Sequence, residues 1–265
     1  MNDLHITTIQ TKLHWENPDA NRAMLEENMA GIIDSTDVIV LPEMFTTGFS
    51  MNAENLAEPM NFHTMKWMRA MASKNNALIL GSAIIKENNK FYNRLIWMEP
   101  DGIFKTYDKR HLFRMADEDK SYAAGQSKLI SEWRGWKICP LVCYDLRFPV
   151  FSRNTYDTTI NSLAYDVLVY VANWPAARSN HWQTLLQARA IENLSYVVGV
   201  NRTGVDGNQN KYEGHSSVID PMGIIIYDRE QDEEVITHTL KADVLKNWRE
   251  KFPAWRDADR FNIEL

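Results

Sequence analysis

Residues 138–149 read Ile-Cys-Pro-Leu-Val-Cys-Tyr-Asp-Leu-Arg-Phe-Pro. Leu141 and Val142 close an apolar run, and the thiol of Cys143 stands where the chain turns polar at Asp145 and Arg147. A nucleophile at the end of a buried strand is held rigidly and still faces a crevice, as an activated nucleophile requires. A free cysteine on its own more often behaves as a small buried hydrophobe, so the reading depends on the rest of the chain. Pro140 is the discordant residue. Proline in a central strand removes a ladder donor, and a bulge or an unpaired position is expected there.

Upstream, Asp37-Val-Ile-Val-Leu-Pro-Glu43 places four consecutive apolar residues before a proline and a carboxylate. Such a run suggests a strand buried on both faces. It follows a helix that starts at the cap Asn17 with Pro18 at the first helical position and carries Leu25, Met29, Ile32 and Ile33 on one stripe. His5 to Leu13 reads as the first strand and 61–75 as a second helix whose methionines fill core. Leu78 to Ile84 is a further strand, Glu87-Asn-Asn-Lys90 a turn, and Arg94–Glu99 with Ile103–Tyr107 an antiparallel hairpin. Alternating helices and strands mark a layered α/β fold.

From Asp108 to Gly125 the chain is polar and aperiodic, a long loop of the kind that tends to carry function. Residues 151–166 form a polar excursion before the strand Val167 to Asn173. Residues 179–195 form a helix with apolar residues on nearly every side, buried in the core or under a partner subunit. Tyr196–Asn201, His215–Asp220, Ile224–Tyr227 and Val235–Leu240 complete the strands, and Lys251–Arg256 is an aromatic tail. With no repeat, low-complexity segment or linker, residues 1–265 read as one domain.

The 265 residues are 45% hydrophobic and 24% charged, enough to bury a large core. A net charge of −6 gives no electrostatic footprint for nucleic acid, and the cluster Lys109-Arg110-His111 with Arg114 is too small to change that. The apolar runs are strand-length, far short of a membrane span, and the opening residues lack a signal peptide's apolar core. The cytoplasm is the expected location. Cys139 and Cys143 on one strand would stand roughly 13 Å apart, beyond the roughly 7 Å limit for a disulfide, so two free thiols are expected. Among the seven histidines no zinc-ligand spacing appears.

Glu43, Lys109 and Cys143 thus stand at comparable places, at strand ends or at the start of a charged loop. In open α/β sheets, ligands bind beyond the carboxyl ends of strands, where these groups can meet. Leu-Pro-Glu43-Met-Phe, Tyr-Asp-Lys109-Arg-His-Leu-Phe and Val-Cys143-Tyr-Asp-Leu-Arg-Phe-Pro resemble the three signature segments of the nitrilase (carbon–nitrogen hydrolase) superfamily. Ala172-Asn-Trp-Pro175 and Gln187-Ala-Arg-Ala-Ile-Glu-Asn193 resemble two more, in the same order over nearly the whole chain, and the likeness is to the ω-amidase branch.

The resemblance implies a four-layer α-β-β-α sandwich whose members commonly pair as homodimers through helices. It also implies a catalytic Glu43-Lys109-Cys143 triad, with Glu118 as the match for the family's second glutamate. The implied reaction is hydrolysis of a small linear amide, the 2-oxoglutaramate and 2-oxosuccinamate type, as in methionine salvage, with no metal or organic cofactor. Residue type fits those roles. Only a thiolate attacks carbonyl carbon well, a carboxylate can take the thiol proton, and a cation with the Tyr144 backbone N–H can face an oxyanion. Glu118, between Asp117 and Asp119, is alternatively a solvated acid. Arg147 either binds a substrate carboxylate or, as the favoured reading, pairs with Asp145. Trp174 and Phe45 line the pocket or belong to the core, and Asn173 is a pocket donor or a capping residue. Residues 155–165 are longer than the branch leads one to expect, so the pocket mouth or an interface is expected to differ. Other specificities of the superfamily, nitrilase or carbamoylase, would share the triad. A redox sensor would instead use Cys143 as a low-pKa thiolate beside a cation.

Overall fold

In the computed structural model, residues 1–159, 162–259 and 261–263 are described. The strands in chain order are β1 Leu4–Gln10, β2 Val38–Val40, β3 Leu78–Glu87, β4 Lys90–Met98, β5 Phe104–Asp108, β6 Ser131–Trp133, β7 Trp136–Val142 and β8 Tyr156–Asp157. They continue as β9 Ser162–Leu163, β10 Val167–Val171, β11 Tyr196–Val200, β12 Thr203–Val205, β13 Lys211–Ile219, β14 Ile225–Glu230 and β15 Glu234–Leu240. The helices are α1 Pro18–Ala30, α2 Ala53–Leu56, α3 His63–Asn75, α4 Glu118–Ser121, α5 Pro149–Ser152, α6 Ser179–Asn193 and α7 Ala242–Lys251.

Two sheets result, ordered β15-β1-β2-β3-β4-β5 and β12-β13-β11-β10-β7-β6, with β14 beside β13. Each has three parallel strands at its centre, β1-β2-β3 and β7-β10-β11, flanked by antiparallel ones. The apolar run of β2 is continuous because both its faces are covered. Val38 and Val40 belong to the core between the sheets with Val142 and Val169, whereas Ile39 faces an outer layer with Leu25, Met29 and Met68. Trp182 and Leu186 of α6 cover the second sheet from its far side. The order is helix, sheet, sheet, helix, the four-layer sandwich of the nitrilase superfamily.

Local rules explain most boundaries. Asn17 accepts a hydrogen bond from the Ala20 N–H at 3.1 Å and Pro18 opens α1. That helix stops at Ala30, so Ile33 lies outside it and is 97% exposed. The β3–β4 hairpin turns at Asn88 and Asn89, both with positive φ, the residue type that tolerates a primed turn. Pro140 needs no bulge. It pairs in register with Val169, and β6 reaches no further than Ile138, which leaves the strand without a neighbour on that side. The helix at 179–195 is not buried all round: Trp182, Leu186 and Ala190 face inward, while Ile191 is 51% exposed.

The 151–166 excursion forms α5, β8 and β9, residues 160 and 161 lying outside the described residues. Tyr156 stacks on Trp255 of the aromatic tail at 3.9 Å, and both line a groove of about 930 Å³ beside Lys137. Lys137 lies near the start of β7, so the β8–β9 part of the excursion lies toward the other end of that strand from Cys143, and none of its described residues lines the cavity. Among the described residues, no helix is long and apolar enough to cross a membrane.

Candidate active site

Glu43 follows β2 through a turn clamped to β3. The Ser82 hydroxyl accepts the Met44 N–H at 2.8 Å and the Ser82 carbonyl accepts the Phe45 N–H at 3.0 Å. Gly81 permits this closeness, since a Cβ there would stand 2.9 Å from both Leu41 and Phe45. Cys143 follows β7 at the first residue of a single 3-10 turn, Cys143–Arg147, with φ of 45°. A left-handed backbone at a non-glycine residue is held only where surrounding contacts over-determine it, and functional sites are where such strain collects. Here the contacts are identifiable. Asp145 accepts the Val142 N–H at 3.0 Å and the Tyr107 hydroxyl at 2.7 Å through Oδ2. Its Oδ1 accepts the His111 N–H at 3.0 Å and meets His111 Nδ1 at 2.8 Å. Arg189 of α6 donates to the Leu146 carbonyl at 2.6 Å.

Lys109 sits just past β5, between Tyr107 and His111. One buried carboxylate, Asp145, therefore fixes the chain on both sides of Lys109 and immediately before Cys143. The 108–125 loop is ordered by its own bonds: the Gly125 N–H donates to the Lys109 carbonyl at 3.0 Å, and Arg110 donates to the Gly125 carbonyl at 3.1 Å. Within it, the Phe113 N–H donates to Glu118 Oε2 at 2.6 Å.

Glu43, Lys109, Glu118 and Cys143 meet in one place. Lys109 Nζ lies 2.9 Å from Glu43 Oε1, and 3.0 and 2.9 Å from the two oxygens of Glu118. These three side chains are fully buried. Asn93 on β4 bridges the carboxylates, donating to Glu43 Oε1 at 2.8 Å and Glu118 Oε1 at 3.2 Å. From the second sheet, the Asn173 N–H donates to Glu43 Oε2 at 2.8 Å and its Nδ2 to the Glu43 carbonyl at 2.5 Å. Cys143 Sγ lies 4.0 Å from the Asn173 carbonyl. Glu118 is not a solvated acid; its neighbours Asp117 and Asp119 instead pair outward with Lys120 and Arg114.

The electrostatics follow from two anions around one cation in a dry site. Burial opposes the Lys109 charge, but the Glu118 and Glu43 carboxylates outweigh it and hold the ammonium above the ordinary lysine range. Burial, assisted by the Glu43 charge, raises the Glu118 carboxyl. Burial also pushes the Cys143 thiol well above the usual range, Glu43 adds to that, and Lys109 offsets only part. This is the opposite of the low-pKa thiolate a redox sensor needs. Cys139 is inert by a similar route, its thiol pushed up to about 12 by burial, and no disulfide joins the two.

A cavity of about 330 Å³ opens over Cys143, lined by Lys109, Tyr144, Trp174, Arg147 and Arg178 among others. Two sequence-based expectations need correction. Phe45 does not line it: the ring is fully buried in the outer core and packs on Trp67 at 5.7 Å, while Phe49 takes the pocket place. Arg147 does not pair with Asp145, whose oxygens are occupied by Tyr107, His111 and Val142; it meets His181 Nδ1 at 2.8 Å and lies over Trp174 at 5.1 Å. Asn173 lines the cavity, and its backbone and side-chain N–H groups hold Glu43. Trp174 lines the cavity and also packs against Trp182 at 5.4 Å. Sequence reading missed Asn93, Tyr107, His111, Phe49 and Arg178. Tyr107 and His111 lie within the quoted Lys109 segment, whereas Asn93, two residues before the apolar run Leu95-Ile-Trp-Met98, carried no mark of its role. Among the described residues, no group of three or more His, Cys, Asp or Glu could hold a metal ion.

A sandwich of two sheets with a buried glutamate, lysine and cysteine just past strand ends, and a second glutamate from the loop between, defines a class of enzyme. The sequence profile of the carbon-nitrogen hydrolase family matches residues 6–250, and the chain belongs to that family as an amidohydrolase. It is 50% identical over 266 residues to the omega-amidase YafV of Escherichia coli (strain K12), covering 99% of this chain and 100% of that one. To the 2-oxoglutaramate amidase of Bacillus subtilis (strain 168) it is 32% identical, covering 95% and 96% of the two chains. XC1258 from Xanthomonas campestris, a CN-hydrolase superfamily protein with an arsenic adduct in the active site, superposes with a TM-score of 0.97 at 45% identity, covering 100% of both chains.

Proposed function

We propose that the protein is an ω-amidase that hydrolyses the terminal amide of small α-keto acid monoamides, 2-oxoglutaramate and 2-oxosuccinamate, to the dicarboxylate and ammonia. The observation that carries the chemistry is the Lys109 ammonium held between Glu43 and Glu118 beside the Cys143 thiol. The substrate class is supported by the Escherichia coli omega-amidase and the Bacillus subtilis 2-oxoglutaramate amidase.

In this reading Cys143 rests as a neutral thiol. As its sulfur attacks the amide carbon, the thiol proton passes to Glu43, and the carbonyl electron pair moves to oxygen. The oxyanion faces Lys109 and the backbone N–H of Tyr144, the first after the nucleophile. Collapse of the tetrahedral intermediate breaks the carbon–nitrogen bond, and Glu43 returns the proton so that ammonia leaves. Cys143 then carries the acyl group as a thioester. Water, deprotonated by Glu43, adds to that carbonyl, the acid departs and the thiol is restored. Glu118 keeps Lys109 charged and aimed. None of these steps requires a metal or organic cofactor. Such amides arise when glutamine or asparagine donates its amino group to a keto acid, as in methionine salvage in the cytoplasm, and hydrolysis makes that transfer irreversible.

The homodimer belongs to the same proposal. Ile191 on α6 is 51% exposed beside Met222 and Ile224, at 39% and 57%, an apolar surface that a second copy of the chain would cover; a monomer at micromolar concentration in light scattering would remove it.

The test of function is ammonia release from 2-oxoglutaramate, glutamine, a nitrile and an N-carbamoyl amino acid. The α-keto amide is expected to be turned over fastest and Cys143→Ala to be inactive. Faster turnover of the nitrile or the carbamoyl compound would replace this specificity, and ammonia from none of the four would end the proposal.

A further inference from the structure

The walls of the Cys143 cavity carry three cations, Lys109, Arg147 and Arg178, and no carboxylate, in a chain of net charge −6. The Lys109 charge is matched by Glu43 and Glu118. The two arginines have no such match. Arg147 lies over the Trp174 ring and meets His181 Nδ1 at 2.8 Å, and neither arginine forms an ion pair with a described residue. Arg178 ends the turn Ala176–Arg178 ahead of α6, its carbonyl taking the Trp174 indole N–H at 2.8 Å. Its guanidinium stacks over Phe113 at 5.2 Å and donates no hydrogen bond to a described side chain.

We infer that Arg178, assisted by Arg147, is the anion-recognising group of this cavity and binds the carboxylate remote from the scissile amide. The inference rests on the amidase reading above. A guanidinium stacked on a ring loses little further freedom on binding, and its edge N–H groups match a carboxylate in a planar, bidentate fork. Arg147 has one nitrogen occupied by His181, so Arg178 is the less committed of the two. The ring under Arg178 belongs to the residue whose N–H holds Glu118, so substrate charge and the Lys109 partner are fixed by the same loop residue. A cavity of about 330 Å³ admits only a small molecule, so an anion at Arg178 and an amide at Cys143 must belong to one short chain. The specificity is then for amides that carry a terminal carboxylate over neutral amides of equal length.

The experiment pairs binding with turnover in wild type, Arg178→Leu and Arg178→Lys. Calorimetry with the dicarboxylate 2-oxoglutarate should show affinity weakened roughly 10- to 100-fold by Arg178→Leu, the range for losing a charge-assisted contact. Arg178→Lys should fall between, keeping charge but not the fork. The ratio of kcat/KM for 2-oxoglutaramate over butyramide should drop by a similar factor. An unchanged dicarboxylate affinity, or both amides slowed alike, would overturn the assignment, the second outcome marking a merely structural arginine. If wild type hydrolysed neither amide while dicarboxylate binding still required Arg178, the anion site would stand and the amidase reading would fail.

Discussion

Asp145→Asn is a change of one atom that should damage both stability and rate. The buried carboxylate accepts from four donors, two on each oxygen: Tyr107 and Val142 on one, the His111 backbone and ring on the other. An asparagine amide keeps one oxygen and turns its NH₂ toward the remaining pair. The Tyr107 hydroxyl or the His111 ring can reverse its role and accept, but the backbone N–H of Val142 or of His111 cannot. At least one buried N–H is therefore left facing another donor, and the charge that strengthened the remaining bonds is gone. Bonds to charged groups contribute about 1.5–3 kcal/mol each, and both bonds to the replaced oxygen are lost or stripped of their charge, so a destabilisation of about 3–6 kcal/mol is expected. For a chain of this size that corresponds to a fall in Tm of roughly 6–24 °C.

The rate effect has a separate origin. Asp145 holds Val142 directly before Cys143, and Tyr107 and His111 on either side of Lys109. Loosening it lets the nucleophile and the cation drift apart, and a misplacement of about 1 Å can lower a rate by about 100-fold. Calorimetric Tm and kcat on 2-oxoglutaramate, measured well below the variant's Tm, separate the two effects. A variant within about 1 kcal/mol of wild type with unchanged kcat would show that Asp145 does not hold the site, and the positioning argument would fall.

Other substitutions probe other parts. Glu43→Gln removes the base, so amide hydrolysis should fall by roughly 100- to 10,000-fold; a kcat within about tenfold of wild type would contradict the base role. Cys139→Ala should keep the turnover that Cys143→Ala abolishes, because Cys139 is enclosed in the core and its thiol is not ionised; equal losses in ammonia release would refute the division. Gly125→Ala would place a Cβ 2.0 Å from the Asp108 carbonyl oxygen, forcing apart the loop ends that position Lys109, so kcat should fall along with about 1–3 kcal/mol of stability; a neutral result in both assays would show the loop closure is dispensable. Burial against β1 lowers His238 from 6.5 to about 4. The folded state resists that proton, so its stabilisation is complete above pH 6.5 and is lost as pH falls toward 4, by about 3 kcal/mol in all; denaturant titrations of wild type and His238→Asn should diverge in that window and run parallel above it.

What the sequence revealed of this site followed chemistry that lies local to the chain. Glu43 and Cys143 end apolar runs, and a strand terminus is readable from hydropathy alone. The continuous Val-Ile-Val of β2 likewise disclosed a strand covered on both faces. Roles set by distant partners were hidden. Asn93 reaches across 50 positions to Glu43, and Arg147 lost its expected partner because Tyr107 and His111, more than 30 residues upstream, had already filled Asp145. Three adjacent acids at 117–119 carry no mark of which one turns inward; the left-handed backbone at Asp117, φ 56°, decides it. Phe45 was misplaced for a similar reason, since the clamp to Ser82 rotates it into the outer core.

In the proposed mechanism the surplus carboxylate keeps the charge of the buried site constant. There both glutamates are carboxylates facing one ammonium beside a neutral thiol, so the buried cluster holds a single excess negative charge. On attack, the proposed transfer of the thiol proton neutralises Glu43 while the same charge appears on the substrate oxygen. The net charge of the dry site does not change, and the severe desolvation penalty for creating a new buried ion does not arise. A pre-formed thiolate would instead add a second excess anion at rest, which is why burial and Glu43 together keep the sulfur protonated. Lys109 is shared in the resting state and meets a stronger claim only when the oxyanion forms, as Glu43 loses its charge. That difference between ground and transition state is the kind of interaction that raises kcat. Glu118 is indispensable to it: without a second carboxylate, protonation of Glu43 would leave Lys109 with no protein partner at the moment its position matters most.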